Sequence, residues 1–203
     1  MFLNLHNFPR ISLIVYMEIT KTLYVKTRSE WRNWLKKNYK TEKEIWLIFY
    51  NKASGKSRLP YDIAVEEALC FGWIDSIVKK TDDESHVQRF TPRNPKSKYS
   101  QLNKERLKRL LKQKKVIASV RKTLGDLENE KFIFPKDILN EIKKNKEAWK
   151  NFQKFSEPYK RIRIGFIDDS RIRADVFKQR LNYFIKMTAQ NKKYGLKGIE
   201  KYF

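Results

Sequence analysis

Cysteine and histidine are nearly missing from this chain: Cys70 is the single cysteine among 203 residues, and His6 and His86 are the only histidines. One cysteine cannot form an intrachain disulfide, so no disulfide framework is expected, and a reducing compartment, the cytoplasm, is the expected location. One Cys with two His cannot assemble a Cys/His zinc cluster. Long apolar runs are missing too: none reaches the ~18 residues that a membrane helix needs. The short apolar stretch Ile11–Met17 follows one arginine and has no small-residue cleavage site, so a signal peptide is not expected. Met17 is an alternative start, and residues 1–20 are set apart as an N-terminal extension. A Walker loop, a Gly-rich dinucleotide fingerprint, metal-ligand spacing and a repeat period are all lacking. These absences give the expectation of no cofactor, no metal and no assignable catalytic residue.

Positive charge is in excess. The net charge is +23 and the pI about 10. Such a balance points to nucleic acid, anionic surfaces or anionic ligands as partners. With 32 lysines to 14 arginines, it is equally consistent with lysine-rich composition and solvation. The excess is uneven: net +8 over residues 1–60, −1 over 61–100 and +16 over 101–203. A pocket in the balanced segment and a polyanion-binding surface would therefore be different parts of the molecule.

The pattern along the chain is α+β: a small sheet with packed helices and an all-helical C-terminal region. The expected division is an extension over 1–20, an α+β core over 21–130 and a helical region over 131–203. Leu23–Val25 reads as a short strand. Thr27-Arg28-Ser29-Glu30 is a capping box, and Trp31, Trp34, Leu35 and Tyr39 follow at helical spacing as core. Residues 45–50, apolar at every position, form a strand covered on both faces. Residues 62–71 read as a helix with Asp62 at its N-cap and Gly72 just past its end. Residues 73–78 and 86–91 form a hairpin. Ser97 or Ser100 caps the next helix, with Leu107, Leu110 and Leu111 on its apolar face. Val116, Val120, Leu124 and Leu127 mark another. Helices are then expected over 135–144, 147–155, 158–166 and 171–187.

The densest information lies between Glu66 and Asn103. Alternation puts Trp73, Asp75 and Ile77 on one face of the hairpin and Val87, Arg89 and Thr91 together on the partner strand, which makes an Asp75–Arg89 pair plausible. Arg93 and Ser97 emerge beside a helix N-terminus that favours anions. Glu66 and Glu67, adjacent and about 100° apart on a helix, do not read as a catalytic pair. Cys70 reads as buried and inert.

The runs Glu66-Glu67-Ala68-Leu69-Cys70-Phe71-Gly72-Trp73-Ile74-Asp75-Ser76 and Arg89-Phe90-Thr91-Pro92-Arg93-Asn94-Pro95-Lys96-Ser97-Lys98-Tyr99-Ser100-Gln101-Leu102-Asn103 resemble the bacteriocin-protection, YdeI/OmpD-associated family. Phe134-Pro135-Lys136-Asp137-Ile138 and Phe155-Ser156-Glu157-Pro158-Tyr159 extend the resemblance into the helical region. Tyr99 stands where the family usually has Trp. The resemblance implies a small α+β protein linked to antimicrobial-peptide resistance, and it brings no catalytic site. The resulting expectation is a non-enzymatic binding or stress-protection protein. Its small-anion or peptide site would be formed by Trp73, Asp75, Arg89, Arg93 and Ser97. The alternatives are weak, non-specific nucleic-acid binding through the basic C-terminal helices, and an enzyme of unknown reaction.

Overall fold

The computed structural model describes residues 18–195. Most of the expected N-terminal extension and the tail beyond Gly195 lie outside the described residues. The fold is α+β. Among the described residues a four-stranded sheet and three of its helices form one core, and the last four helices form a second.

The first core begins with β1 (Thr22–Leu23), α1 (Arg28–Asn38) and β2 (Ile45–Tyr50). Thr27 caps α1 by accepting from the Glu30 amide at 3.2 Å, while the Glu30 carboxylate reaches back to the Lys26 amide at 2.8 Å. The capping box is thus closed one residue earlier than the simplest form. Trp31 and Leu35 are buried, and the Trp31 indole donates to the Ala64 carbonyl at 3.0 Å. After a short 3₁₀ turn come α2 (Tyr61–Cys70), β3 (Trp73–Lys80) and β4 (Ser85–Pro92). The expected cap Asp62 lies inside the first turn of α2, because Pro60 takes the cap position; proline fits there, with a fixed φ and no amide proton to satisfy. Gly72 ends α2 at φ +75°, the left-handed conformation expected of it.

The strand order is β1-β2-β4-β3, with β1 parallel to β2 and the other pairs antiparallel. β2 is an inner strand, and Ile45, Trp46 and Leu47 are buried in succession. The β3–β4 pairing shifts register between Asp75 and Val78, a bulge in the hairpin.

Ser100 caps α3 (Gln101–Lys112), and α4 (Ala118–Thr123) follows. The helix expected to carry Leu124 and Leu127 stops at Thr123, since Gly125 takes φ +55° and turns the chain. Leu127 still reaches the first core, from a turn.

The second core holds α5 (Lys136–Lys144), α6 (Lys146–Lys154), α7 (Glu157–Asp168) and α8 (Ala174–Ala189). Asn145 ends α5 and caps α6, accepting from the Ala148 amide at 2.9 Å. The two cores meet where α3 crosses α7. A Cβ added to Gly165 would lie 2.5 Å from Gln101 Cβ, so only glycine allows this approach. Beside the crossing, Arg161 grips Glu105 with Nε at 2.7 Å and Nη2 at 3.0 Å.

Candidate functional site

Helix α2 is buried along nearly its whole circumference, from Ala64 to Cys70. Glu66 and Glu67 are therefore both inside, each about 1% exposed, on different sides of the helix. Buried carboxylates need counter-charge. Arg28 of α1 supplies it to both, with Nη2 at 2.8 Å from Glu66 and Nε at 2.6 Å from Glu67. Arg32, one turn along α1, adds a bond to Glu67 at 2.7 Å and another to the Lys115 carbonyl at 2.8 Å. Arg109 of α3 closes on Glu66 at 2.5 Å. This network ties α1, α2 and α3 together. Cys70 lies at its edge; burial and the Glu67 charge push its thiol up to about 11 despite Arg32, which makes it a poor nucleophile at neutral pH.

The five residues expected to form a site fall into four places. Trp73 is core: it is buried, its indole donates to the Tyr39 carbonyl at 3.1 Å, and its ring meets Trp34 edge-on. Asp75 accepts a hydrogen bond from the Tyr61 hydroxyl. Arg89 holds Glu44, with Nε at 2.8 Å. The expected Asp75–Arg89 pair does not form. Asp75 is registered with Phe90, so it shares the face of Phe90, and Arg89, the neighbour of Phe90, points the other way. Glu44 sits two residues before Trp46, the residue registered with Arg89, and so reaches the Arg89 face. The Glu44 carboxyl is lowered, first by the Thr20 hydroxyl and then by Arg89. Arg93 and Ser97 do come together: the Arg93 guanidinium donates to the Ser97 carbonyl and lies 3.5 Å over the Tyr99 ring.

Arg93 and Ser97 stand on one wall of a groove of about 1140 Å³ between the two cores. Its other walls are α3, α4, the 124–133 connection and the C-terminal end of α7. Val120, Leu124, Leu127 and Phe132 contribute apolar surface, and Lys98, Lys131, Asp126 and Asp169 contribute charge. Lys104 is paired with Glu130, and Lys108 donates to the Glu130 carbonyl at 2.6 Å. The groove offers apolar contact with ionic and hydrogen-bonding groups around it, an arrangement suited to holding a ligand. Among the described residues no group of three or more His, Cys, Asp or Glu could hold a metal ion, and no helix is long and apolar enough to cross a membrane.

Sequence reasoning missed the 124–133 connection and the end of α7 as groove walls. The signal for it was Ile133, a large apolar residue in an irregular stretch, which is 86% exposed. The buried Glu66–Glu67 network was also missed. Its signal was the arginine spacing: 28 and 32 on α1 place two guanidiniums on one helix face.

Residues 131–191 match the family described as bacteriocin-protection, YdeI or OmpD-associated. Residues 23–123 match a domain of unknown function (DUF8412). The runs 66–76 and 89–103 fall within the latter match, and the YdeI/OmpD-associated match covers the second core. Neither a curated protein nor a solved structure matches the chain.

Proposed function

We propose that this chain, whose residues 131–191 carry the YdeI/OmpD-associated region, is a non-catalytic binding protein that takes an extended acidic peptide in the groove between its two cores. The observation behind this reading is the groove itself, about 1140 Å³ with apolar surface and with walls from both cores. It is too large for a lone ion and sits at a junction of two folding units, where ligand sites are common. Among the described residues Lys98 and Lys131 have no ion-pair partner, and the net charge of +23 draws acidic partners over distance. The same field repels cationic peptides. A protective role of the kind in the family's name would therefore act through an acidic partner, not by sequestering a cationic bacteriocin.

The test is fluorescence anisotropy with two labelled peptides of alternating character, one Glu/Leu and one Lys/Leu. The acidic peptide is expected to bind about tenfold or more tightly than the basic one, ~1.4 kcal/mol. Lys98→Glu with Lys131→Glu should cost about tenfold, while the same charge change at exposed Lys37 and Lys178 should cost about twofold or less. Equal losses in the two double variants would reduce the effect to overall charge and sink the groove assignment.

A further inference from the structure

Arg106 is a buried guanidinium with no carboxylate to answer it. It is 5% exposed, on α3, one turn before Arg109. Arg109 has Glu66; Arg106 has no acidic oxygen within 4.0 Å among the described residues. An arginine stays charged when buried, and an uncompensated buried charge is strongly unfavourable. Its neighbourhood is already rich in guanidiniums: around α2 the two buried carboxylates, Glu66 and Glu67, are held by three, those of Arg28, Arg32 and Arg109.

The hydrogen bonding of Arg106 is one-sided. Nη1 donates to Asn103 Oδ1 at 2.9 Å. Nε is buried without a partner, and Nη2 makes no hydrogen bond among the described residues. The open edge is thus the one carrying the parallel Nε–H and Nη2–H bonds, whose spacing matches two oxygens of a carboxylate or phosphate. Tyr61, at the start of α2, feels the Arg106 charge, and its hydroxyl is given to Asp75 of β3. The Asp75 carboxylate accepts from Tyr61, and neither of its oxygens comes within ion-pair distance of Arg106. Asp75, next to the end of the first motif run, and Asn103, the end of the second, have no place in the groove, and both belong to this neighbourhood.

We propose that Arg106 is the anchor of a small-oxyanion site between α2 and α3, distinct from the groove, which binds one carboxylate or phosphate group through the Nε/Nη2 edge of the guanidinium. The groove lies on the side of α3 that carries Gln101, Lys104 and Lys108, so the two sites can be occupied and tested independently.

The experiment follows the Arg106 Nε–H resonance, assigned through bonds from its own backbone, in the full chain by ¹H–¹⁵N NMR. Inorganic phosphate, acetate and chloride are titrated separately at constant ionic strength. A saturable shift with phosphate or acetate, absent with chloride, is expected, with a melting temperature that rises with the same anion. A response to phosphate alone would assign a phosphate ester as the natural group, and a response to acetate alone a carboxylate. Arg106→Gln should abolish the anion-dependent rise in melting temperature, and Asn103→Ala, which keeps the guanidinium, should retain it. An Arg106 resonance unmoved by either oxyanion up to about 50 mM, roughly 2 kcal/mol of affinity, overturns the proposal, as does an undiminished anion response in Arg106→Gln. If Arg106→Gln does not fold, the wild-type titration decides alone.

Discussion

Arg89 chooses Glu44 over Asp75 because a strand presents successive side chains to opposite faces. Phe90 fills the helix-covered face and sets the side of Asp75; Arg89, next to it, must take the other. Two consequences can be measured by chemical denaturation. Asp75→Ala and Arg89→Ala should be additive within about 0.5 kcal/mol, because the two groups share no partner. Glu44→Ala and Arg89→Ala should instead couple by about 0.5–1 kcal/mol, the lower end of the range for contacting residues, since both side chains remain about one-fifth exposed. Coupling between Asp75 and Arg89 as large as that between Glu44 and Arg89 would refute the observed register. The sequence made both strands legible and their pairing visible, but the bulge after Asp75 and the choice of carboxylate depend on register, which alternation alone does not fix. Glu66 and Glu67 escaped for a different reason. Their 100° separation excludes a shared partner only when one face of the helix is wet, whereas α2 is enclosed on all sides, and α1 and α3 each bring arginine to it.

The junction of α3 and α7 is the contact between elements on which the groove depends. Gly165 sits among the bulky apolar residues Ile162, Ile164, Phe166 and Ile167 of α7. A mid-helix glycine forgoes about 1 kcal/mol of helix propensity relative to alanine. Here it permits a crossing in which Gln101 Cβ would lie 2.5 Å from a new methyl group. Cβ cannot rotate away, so Gly165→Ala should force the helices apart, with an overpacking cost of about 1–3 kcal/mol offset by the ~1 kcal/mol propensity gain. The expected net loss is up to about 2 kcal/mol, or a fall of up to ~8 °C in melting temperature for a chain of this size. Gln101→Gly removes the opposing Cβ, so the double variant should be more stable than the sum of the two single effects predicts, which a double-mutant cycle reads directly. Strict additivity of Gly165→Ala and Gln101→Gly in that cycle would mean that the two cores are not held this closely. Both helices were legible from their spacing and caps, but their crossing was not, because nothing local in the sequence states which distant helix a glycine faces. The short α4 shows the converse: Val120, Leu124 and Leu127 keep helical spacing, yet Gly125 converts the second half of that pattern into turns that still deliver Leu127 to the core.

For the molecule as a whole, the net charge overstates what a polyanion can reach. Residues 101–203 carry net +16. Within that count Arg106 and Arg163 are buried, the latter near the rings of Tyr159, Phe166 and Tyr194. Arg109 and Arg161 are committed to Glu66 and Glu105, and Lys104 to Glu130. The arginines that could fork onto phosphates are thus largely used in holding helices together, and the exposed remainder near α4 is Lys112, Lys114, Arg121 and Lys122. Lysines spread around short helices attract phosphates as point charges and do not read base edges. We expect DNA and RNA to bind weakly and without sequence preference, with Kd on the order of 10⁻⁴–10⁻⁶ M at physiological salt and a steep decline as salt rises. Changing Lys112, Lys114, Arg121 and Lys122 together to glutamine should weaken binding and flatten the salt slope by roughly 0.9 for each duplex-DNA phosphate that is no longer neutralised. Arg161→Gln should leave binding unchanged while lowering stability, because its charge is answered by Glu105 inside the molecule. Anisotropy titrations with unrelated oligonucleotides at several salt concentrations separate the outcomes. A preference of about 100-fold for one sequence would demand base readout that these exposed lysines do not provide. An absence of binding even at low salt would show that the positive charge serves solvation and internal ion pairing alone.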